Sequence, residues 1–321
     1  MRKEDFPIIF MGTPDFALES LKALIDNNYK IDAVVTNPDK PAGRGRKIQE
    51  SPVKKYAKKQ GLYILQPENL KDESFIKELK LIKPALQIVV AFKILPPEVF
   101  KIPTYGTFNL HASLLPDYRG AAPINHVIIN GEEKTGVTTF FLDEKVDTGK
   151  IIAQKAVFVK QDDTAGSLHD KLMKTGSELV VESTDKILKN DYQQIDQQEL
   201  TRENQKLHKA PKIFKEDCRI NWNKPVTQVY NFIRGLSPFP SAWTQMVNDK
   251  EYTLKIYSAI PEIASHSLSP GAIKSDGKTY LQIACRNGFI KIEEIQLAGK
   301  KRMTTEEFLR GFQSINDYRF K

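Results

Sequence analysis

Residues 85–91, Ala-Leu-Gln-Ile-Val-Val-Ala, are the stretch that most limits what this chain can fold into. The run is apolar at consecutive positions, so a strand built from it has no face to offer water and must be covered on both sides. A parallel sheet with helices on both faces provides that cover. Neighbouring segments agree. Strands are expected at 7–12, 31–36, 63–65, 106–111, 135–142 and 151–157, with helical patterns after Thr13 or Asp15 and at 53–60, 72–81, 97–100, 123–129 and 164–188. This alternation predicts a doubly wound, Rossmann-like α/β domain over 1–189, with its ligand at the carboxyl ends of the strands. Gly12-Thr-Pro-Asp lacks the spacing of a dinucleotide loop, so that ligand is not expected to be a dinucleotide.

After about residue 190 the character changes. Residues 190–207 are rich in Gln, Asp and Glu and read as a linker. Over 208–321 a helix near 226–233 is followed by short alternating runs at 253–258, 271–274, 280–284 and 289–295, separated by Pro, Gly and Asp. That pattern predicts a small β-barrel, of the OB type.

Charge sorts the same way. The net +8 is not spread evenly: residues 1–204 hold 29 Lys and Arg against 29 Asp and Glu, and 205–321 hold 19 against 11. A basic second domain points to a polyanionic partner, although a solubilising surface bias would look the same. A second basic stretch, residues 40–59, carries eight Lys and Arg with only Glu50 opposing them, on a Gly- and Pro-rich loop around Arg44 and Arg46. Such a loop in a compact domain suggests phosphate binding more than a solvated face.

Some classes are excluded. Cys218 and Cys285 stand alone, outside any zinc or disulfide spacing, so packing roles and no metal are expected. No apolar run approaches a membrane span and the N-terminus begins Met-Arg-Lys-Glu-Asp, so a cytoplasmic chain without membrane contact is expected, as a monomer.

Chemistry concentrates between Gly106 and Pro123. Asn109 and His111 alternate with Phe108 and Leu110, so a strand turns both polar side chains to one face as it ends. An amide and an imidazole aimed at one point suit the oxygen of a tetrahedral acyl intermediate. Alone, Asn-x-His reads more readily as a core histidine; the loop that follows, Ser113-Leu-Leu-Pro116 with Arg119-Gly120 and Pro123, is neither generic core nor generic turn.

This motif resembles that of the formyltransferases that use 10-formyltetrahydrofolate as donor. The resemblance implies catalytic roles for Asn109, His111 and, one supersecondary unit on, Asp147 in Asp147-Thr-Gly149. It implies that Ser113, Leu114, Leu115 and Pro116 line the folate site, with the pteridine near 88–91 and 140–142, and that Asp147 orients His111 and collects the amine's proton. Within the family the chain is most similar to the branch acting on methionine carried by initiator tRNA, through Gly12-Thr-Pro-Asp-Phe16, Asp39-Lys-Pro-Ala-Gly-Arg-Gly45, Ser51-Pro-Val-Lys54, Ile220-Asn-Trp222 and Leu297-Ala-Gly-Lys-Lys301. On that resemblance, initiator Met-tRNA is the partner, and Lys40, Arg44, Arg46, Lys47, Lys300, Lys301 and Arg302 are its expected contacts. Two departures stand out: Ala112 where some members have Gly, and Phe92-Lys-Ile-Leu in place of a Tyr-Gly-containing turn. A non-catalytic tRNA-binding module would share the charge pattern, but it has no use for oxyanion donors beside a carboxylate. A sugar-nucleotide formyltransferase would share the polar set, but it has no need of the basic window.

Overall fold

Pro7 leads into β1 (Ile8–Gly12), five consecutive buried residues that take an interior place in a seven-stranded sheet. The structure is a computed structural model that describes residues 2–42, 47–201, 206–312 and 314–321. It divides into two compact units, the first formed by residues up to 120 with 134–158 and 169–209, the second by 121–133, 159–168 and 210–321.

In the first unit the chain runs β1, α1 (Asp15–Asp26), β2 (Ile31–Val35), α2 (Pro52–Lys59), β3 (Ile64–Leu65), α3 (Glu73–Ile82), β4 (Leu86–Val90), α4 (Pro97–Phe100), β5 (Thr107–His111), β6 (Lys134–Phe141) and β7 (Ile151–Phe158). Strand order is β7-β6-β5-β4-β1-β2-β3. The five strands from β5 to β3 pair in parallel, and β6 and β7 are added antiparallel. The chain winds one way from β1 and the other way from β4, which makes the carboxyl ends of these strands the place for a ligand. β4 lies inside the apolar run and is buried at every position; its one polar residue, Gln87, accepts a hydrogen bond from the Thr107 hydroxyl of β5 at 3.0 Å. One face of the sheet packs on α3 and α4, through Phe75, Leu79, Val99 and Phe100 against Ile9, Met11, Ala33, Val35, Leu65 and Val89. On the other face lies α6 (Ala165–Lys189), whose Gly176 comes so close to Leu110 that a Cβ would sit 2.8 Å from it.

The helix α1 starts at Asp15, as expected. Its N-cap is Pro14, with no side-chain cap; the Thr13 hydroxyl instead accepts from the Asn37 N–H at 3.3 Å, tying the end of β1 to the end of β2.

The second unit contains α5 (Pro123–Ile129), α7 (Val226–Gly235) and the strands β8 (Ala242–Val247), β9 (Glu251–Ile263), β10 (Ile273–Ser275), β11 (Leu281–Cys285), β12 (Gly288–Leu297), β13 (Met303–Thr304) and β14 (Arg319–Phe320), with α8 (Thr305–Leu309) after β13. The order is β10-β11-β12-β9-β8-β14 with β13 on β12, all antiparallel. The end strands approach each other through an Ala272–Arg319 bridge and a 2.8 Å bond from the Phe320 N–H to Gly271, giving the near-closed barrel expected for an OB-like domain. Gly271, at φ 85°, is required there: a Cβ would lie 2.1 Å from the Phe320 carbonyl oxygen. Ile220 and Trp222 enter the barrel core, where the indole N–H donates to Thr244 at 2.9 Å. Both cysteines are free and buried, and burial pushes the Cys285 thiol up to about 12. β8 and β14 were not expected from the sequence. The helix at 123–129 exists as expected but packs in this unit, where the Asn125 amide donates to the Gly235 carbonyl at 2.8 Å.

No helix among the described residues is long and apolar enough to cross a membrane, and among them no group of three or more His, Cys, Asp or Glu is placed to hold a metal ion.

Candidate active site

β5 delivers Asn109 and His111 to its carboxyl end, two residues apart and so on one face, with Phe140 and Thr138 of β6 as register partners. The Asn109 amide is half-buried and makes no hydrogen bond among the described residues. His111 is 6% exposed and stands edge-on to Phe140. Its Nε2 lies 2.9 Å from the Tyr118 carbonyl oxygen. A carbonyl only accepts, so Nε2 carries the hydrogen, and Nδ1 is the nitrogen left to gain or lose a proton. Burial holds the His111 pKa below the ordinary imidazole value; the Asp147 carboxylate and the Tyr118 bond oppose this, and the Arg119 guanidinium adds to it.

Asp147 sits in the left-handed region, at φ 56°, and its carboxylate accepts from the Gly120 N–H at 3.0 Å. Among the described residues no hydrogen bond joins it to His111. The ring is therefore oriented by Tyr118, and Asp147 reaches it through its electric field.

The loop between them is held by residues that the sequence had not singled out. The Thr138 hydroxyl donates to the Ser113 carbonyl at 2.7 Å and accepts from the Leu115 N–H at 3.1 Å and from Gln154 Nε2 at 2.9 Å. Gln154 Nε2 also reaches the Leu115 carbonyl at 2.7 Å, and the Ser113 hydroxyl donates to the Asp117 carbonyl at 2.7 Å. Leu115 packs with Phe140 and Ile151. Of the four loop residues expected at the folate, Ser113, Leu115 and Pro116 are buried and Leu114 is half-buried, lying against Gly136, where a Cβ would come within 2.6 Å of it. Leu115 is thus a support for the loop, with its side chain and both backbone groups engaged inside the protein. Ile88, Val90 and Phe140, expected near the pteridine, are fully buried. Thr138 and Gln154 carried a faint signal as polar residues within strands.

The basic residues are placed unevenly. Lys40 is exposed; Arg44 and Arg46 lie outside the described residues, as does the side chain of Lys47, whose backbone starts the short strand Lys47–Gln49. Lys54, counted in the basic window, is nearly buried and bonds Asp39 at 2.5 Å, while Lys58 pairs with Glu50. These two lysines anchor the root of the loop. In the barrel Lys300 and Lys301 are exposed, whereas Arg302 pairs with Glu294 and lies 4.5 Å over the Tyr257 ring.

Comparison with known proteins adds to this geometry. Residues 6–184 match the family model "Formyl transferase" and residues 212–313 match "Formyl transferase, C-terminal domain". The methionyl-tRNA formyltransferase of Phocaeicola vulgatus is 54% identical over 320 residues, covering 99% of each chain, and that of Parabacteroides distasonis is 50% identical over 321 residues, again covering 99% of each. Among solved structures, the N-formyltransferase of Helicobacter canadensis in complex with folinic acid and dTDP-3-aminofucose superimposes with a TM-score of 0.63 at 22% identity, over 93% of this chain and 100% of its own. HypX of Aquifex aeolicus in complex with tetrahydrofolic acid gives 0.64 at 19% identity, over 94% of this chain and 46% of its own. At such identities these two structures share the fold.

Proposed function

The chain belongs to the methionyl-tRNA formyltransferase family, and from that membership we propose how its own residues carry the reaction. The protein transfers the formyl group of 10-formyltetrahydrofolate to the α-amino group of methionine on initiator tRNA, for the start of translation. Attack of the amine on the formyl carbon makes a tetrahedral oxyanion, and collapse breaks the bond to N10 of the folate. The step needs a donor for the oxyanion, an acceptor for the proton the amine sheds and a donor for N10.

The observation that carries the assignment is the 2.9 Å approach of His111 Nε2 to the Tyr118 carbonyl. With the hydrogen committed there and burial keeping the ring neutral, Nδ1 offers a lone pair and takes the amine's proton. Asp147 stabilises the imidazolium as it forms, and the imidazolium then returns the proton to N10. The Asn109 amide, which makes no hydrogen bond among the described residues, donates to the oxyanion. Leu114 and the backbone of residues 113–116 contact the folate. Lys40, Arg44, Arg46 and Lys47 on the first unit, with Lys300, Lys301 and Arg302 on the barrel, bind tRNA phosphates. The functional division falls in the segment 190–207, and the enzyme works in the cytoplasm as a monomer.

The test is an assay with labelled 10-formyltetrahydrofolate, offering Met-tRNA, uncharged tRNA and a sugar nucleotide side by side. Label should pass to Met-tRNA alone; label found only on the sugar nucleotide would overturn the assignment.

A further inference from the structure

Residues 190–206 fall between the two matched regions and have the composition of a linker. Ile195 nevertheless exchanges both backbone bonds with Ile151, at 2.9 and 3.0 Å, and packs on the cluster of Leu115, Phe140 and Ile151. Two residues further on, Gln197 is only 2% exposed. Its Nε2 donates to the carbonyls of Asp147 at 3.0 Å and Gly149 at 2.8 Å, and its Oε1 accepts from Arg119 Nε at 3.0 Å and Nη2 at 2.5 Å. An amide is the side chain that offers donors and an acceptor at one site.

The two sets of bonds converge. Arg119 immediately precedes Gly120, whose N–H binds the Asp147 carboxylate, so one side chain grips both the backbone of the aspartate and the residue before its hydrogen-bond donor. On the far side the loop has no slack, because a Cβ on Gly149 would lie 1.7 Å from the Phe141 carbonyl oxygen.

We propose that Gln197 is a positioning residue for the formyl transfer: it fixes the left-handed backbone of Asp147 and, through Arg119, the Gly120 N–H that holds the carboxylate, so that Asp147 stays at a set distance from His111. The proposal rests on the roles given above to His111 and Asp147. It places part of the catalytic apparatus in the segment between the two matched regions.

The experiment uses the full chain with Gln197→Ala and Gln197→Glu, assayed on Met-tRNA and 10-formyltetrahydrofolate from about pH 5 to 9, with kcat expressed per folded molecule. A loop displaced by about 1 Å costs on the order of 100-fold, so kcat should fall by about 10- to 100-fold with both KM values within about twofold. The charged groups acting on His111 are Asp147 and Arg119. With Asp147 no longer held, the acid limb of kcat should move to lower pH, toward that of Asp147→Asn. Glu keeps an acceptor for Arg119 but has no donor for the two carbonyls, so it should not rescue. Wild-type kcat in either variant, or a loss explained by a lower folded fraction with an unmoved acid limb, would overturn the proposal. Asp147→Asn run alongside separates the two ideas: if it retains wild-type turnover, the role of Asp147 fails, and if it loses turnover while Gln197→Ala does not, the role of Gln197 fails.

Discussion

Replacing Thr138 by Val tests how the loop proposed to line the folate site is held, because the two side chains have nearly the same shape and differ in a hydroxyl. Thr138 is fully buried, and Val suits a strand as well as Thr does, so neither a cavity nor a strand defect should follow. The hydroxyl serves three groups: the Ser113 carbonyl at 2.7 Å, the Leu115 N–H at 3.1 Å and Gln154 Nε2 at 2.9 Å. Gln154 keeps its second partner, the Leu115 carbonyl, so two backbone groups of the loop go without a partner at a dry position. At about 1–3 kcal/mol for each buried group left unpaired, the cost is roughly 2–6 kcal/mol. For a unit of this size that corresponds to a fall in Tm of about 4–24 °C. Any relief the loop finds by moving displaces the residues proposed to lie beside the folate, so kcat/KM for 10-formyltetrahydrofolate should drop about 10- to 100-fold while KM for Met-tRNA stays put. Thr138→Ser, which restores the hydroxyl, should recover most of both. Steady-state kinetics and a thermal melt decide the matter: a Thr138→Val enzyme within twofold of wild type in folate kcat/KM and within about 2 °C in Tm would refute the reasoning.

Other outcomes follow from the same geometry. His111→Ala should lower kcat by about 100- to 10,000-fold with tRNA affinity nearly unchanged in a filter-binding titration. Because burial holds the His111 pKa below 6.5, wild-type kcat should rise with pH along a limb centred below that value; Asp147→Asn removes the influence that raises this pKa, so the limb should shift to still lower pH, and a shift upward would contradict the roles assigned. Asn109→Ala should lower turnover about 100- to 1000-fold, chiefly in kcat, and an unchanged kcat would remove Asn109 from the oxyanion site. Arg44→Ala with Arg46→Ala should weaken Met-tRNA use, leave folate affinity alone and reduce the slope of log affinity against log salt by roughly 0.7–0.9 for each phosphate no longer neutralised; wild-type kcat/KM on Met-tRNA would show the loop to be a solvated face.

What the sequence by itself determined is whatever depends on residues close together in the chain. The apolar run at 85–91 could be satisfied only by a strand covered on both faces, and β4 is that strand. The alternation at 107–111 put Asn109 and His111 on one face wherever β5 was placed, because side-chain direction in a strand has a period of two. The short alternating runs beyond residue 250 likewise required an antiparallel sheet. Other features depended on partners far along the chain, and no local pattern encodes those. Composition placed Lys54 in a basic surface, but Asp39 takes it up; the helix at 123–129 was legible, but its membership of the second unit comes from α7, a hundred residues later. The proposed catalytic set shows the same division. His111 was visible as a residue, but the nitrogen it offers is decided by the Tyr118 carbonyl, which depends on how the loop returns. Gln197 sits among glutamines and acids that read as solvated linker, and nothing near it in sequence marks it as buried. Its two carbonyl partners lie about fifty residues earlier and Arg119 nearly eighty, so its burial and its bonds exist only once β5, β6 and β7 have brought those loops together.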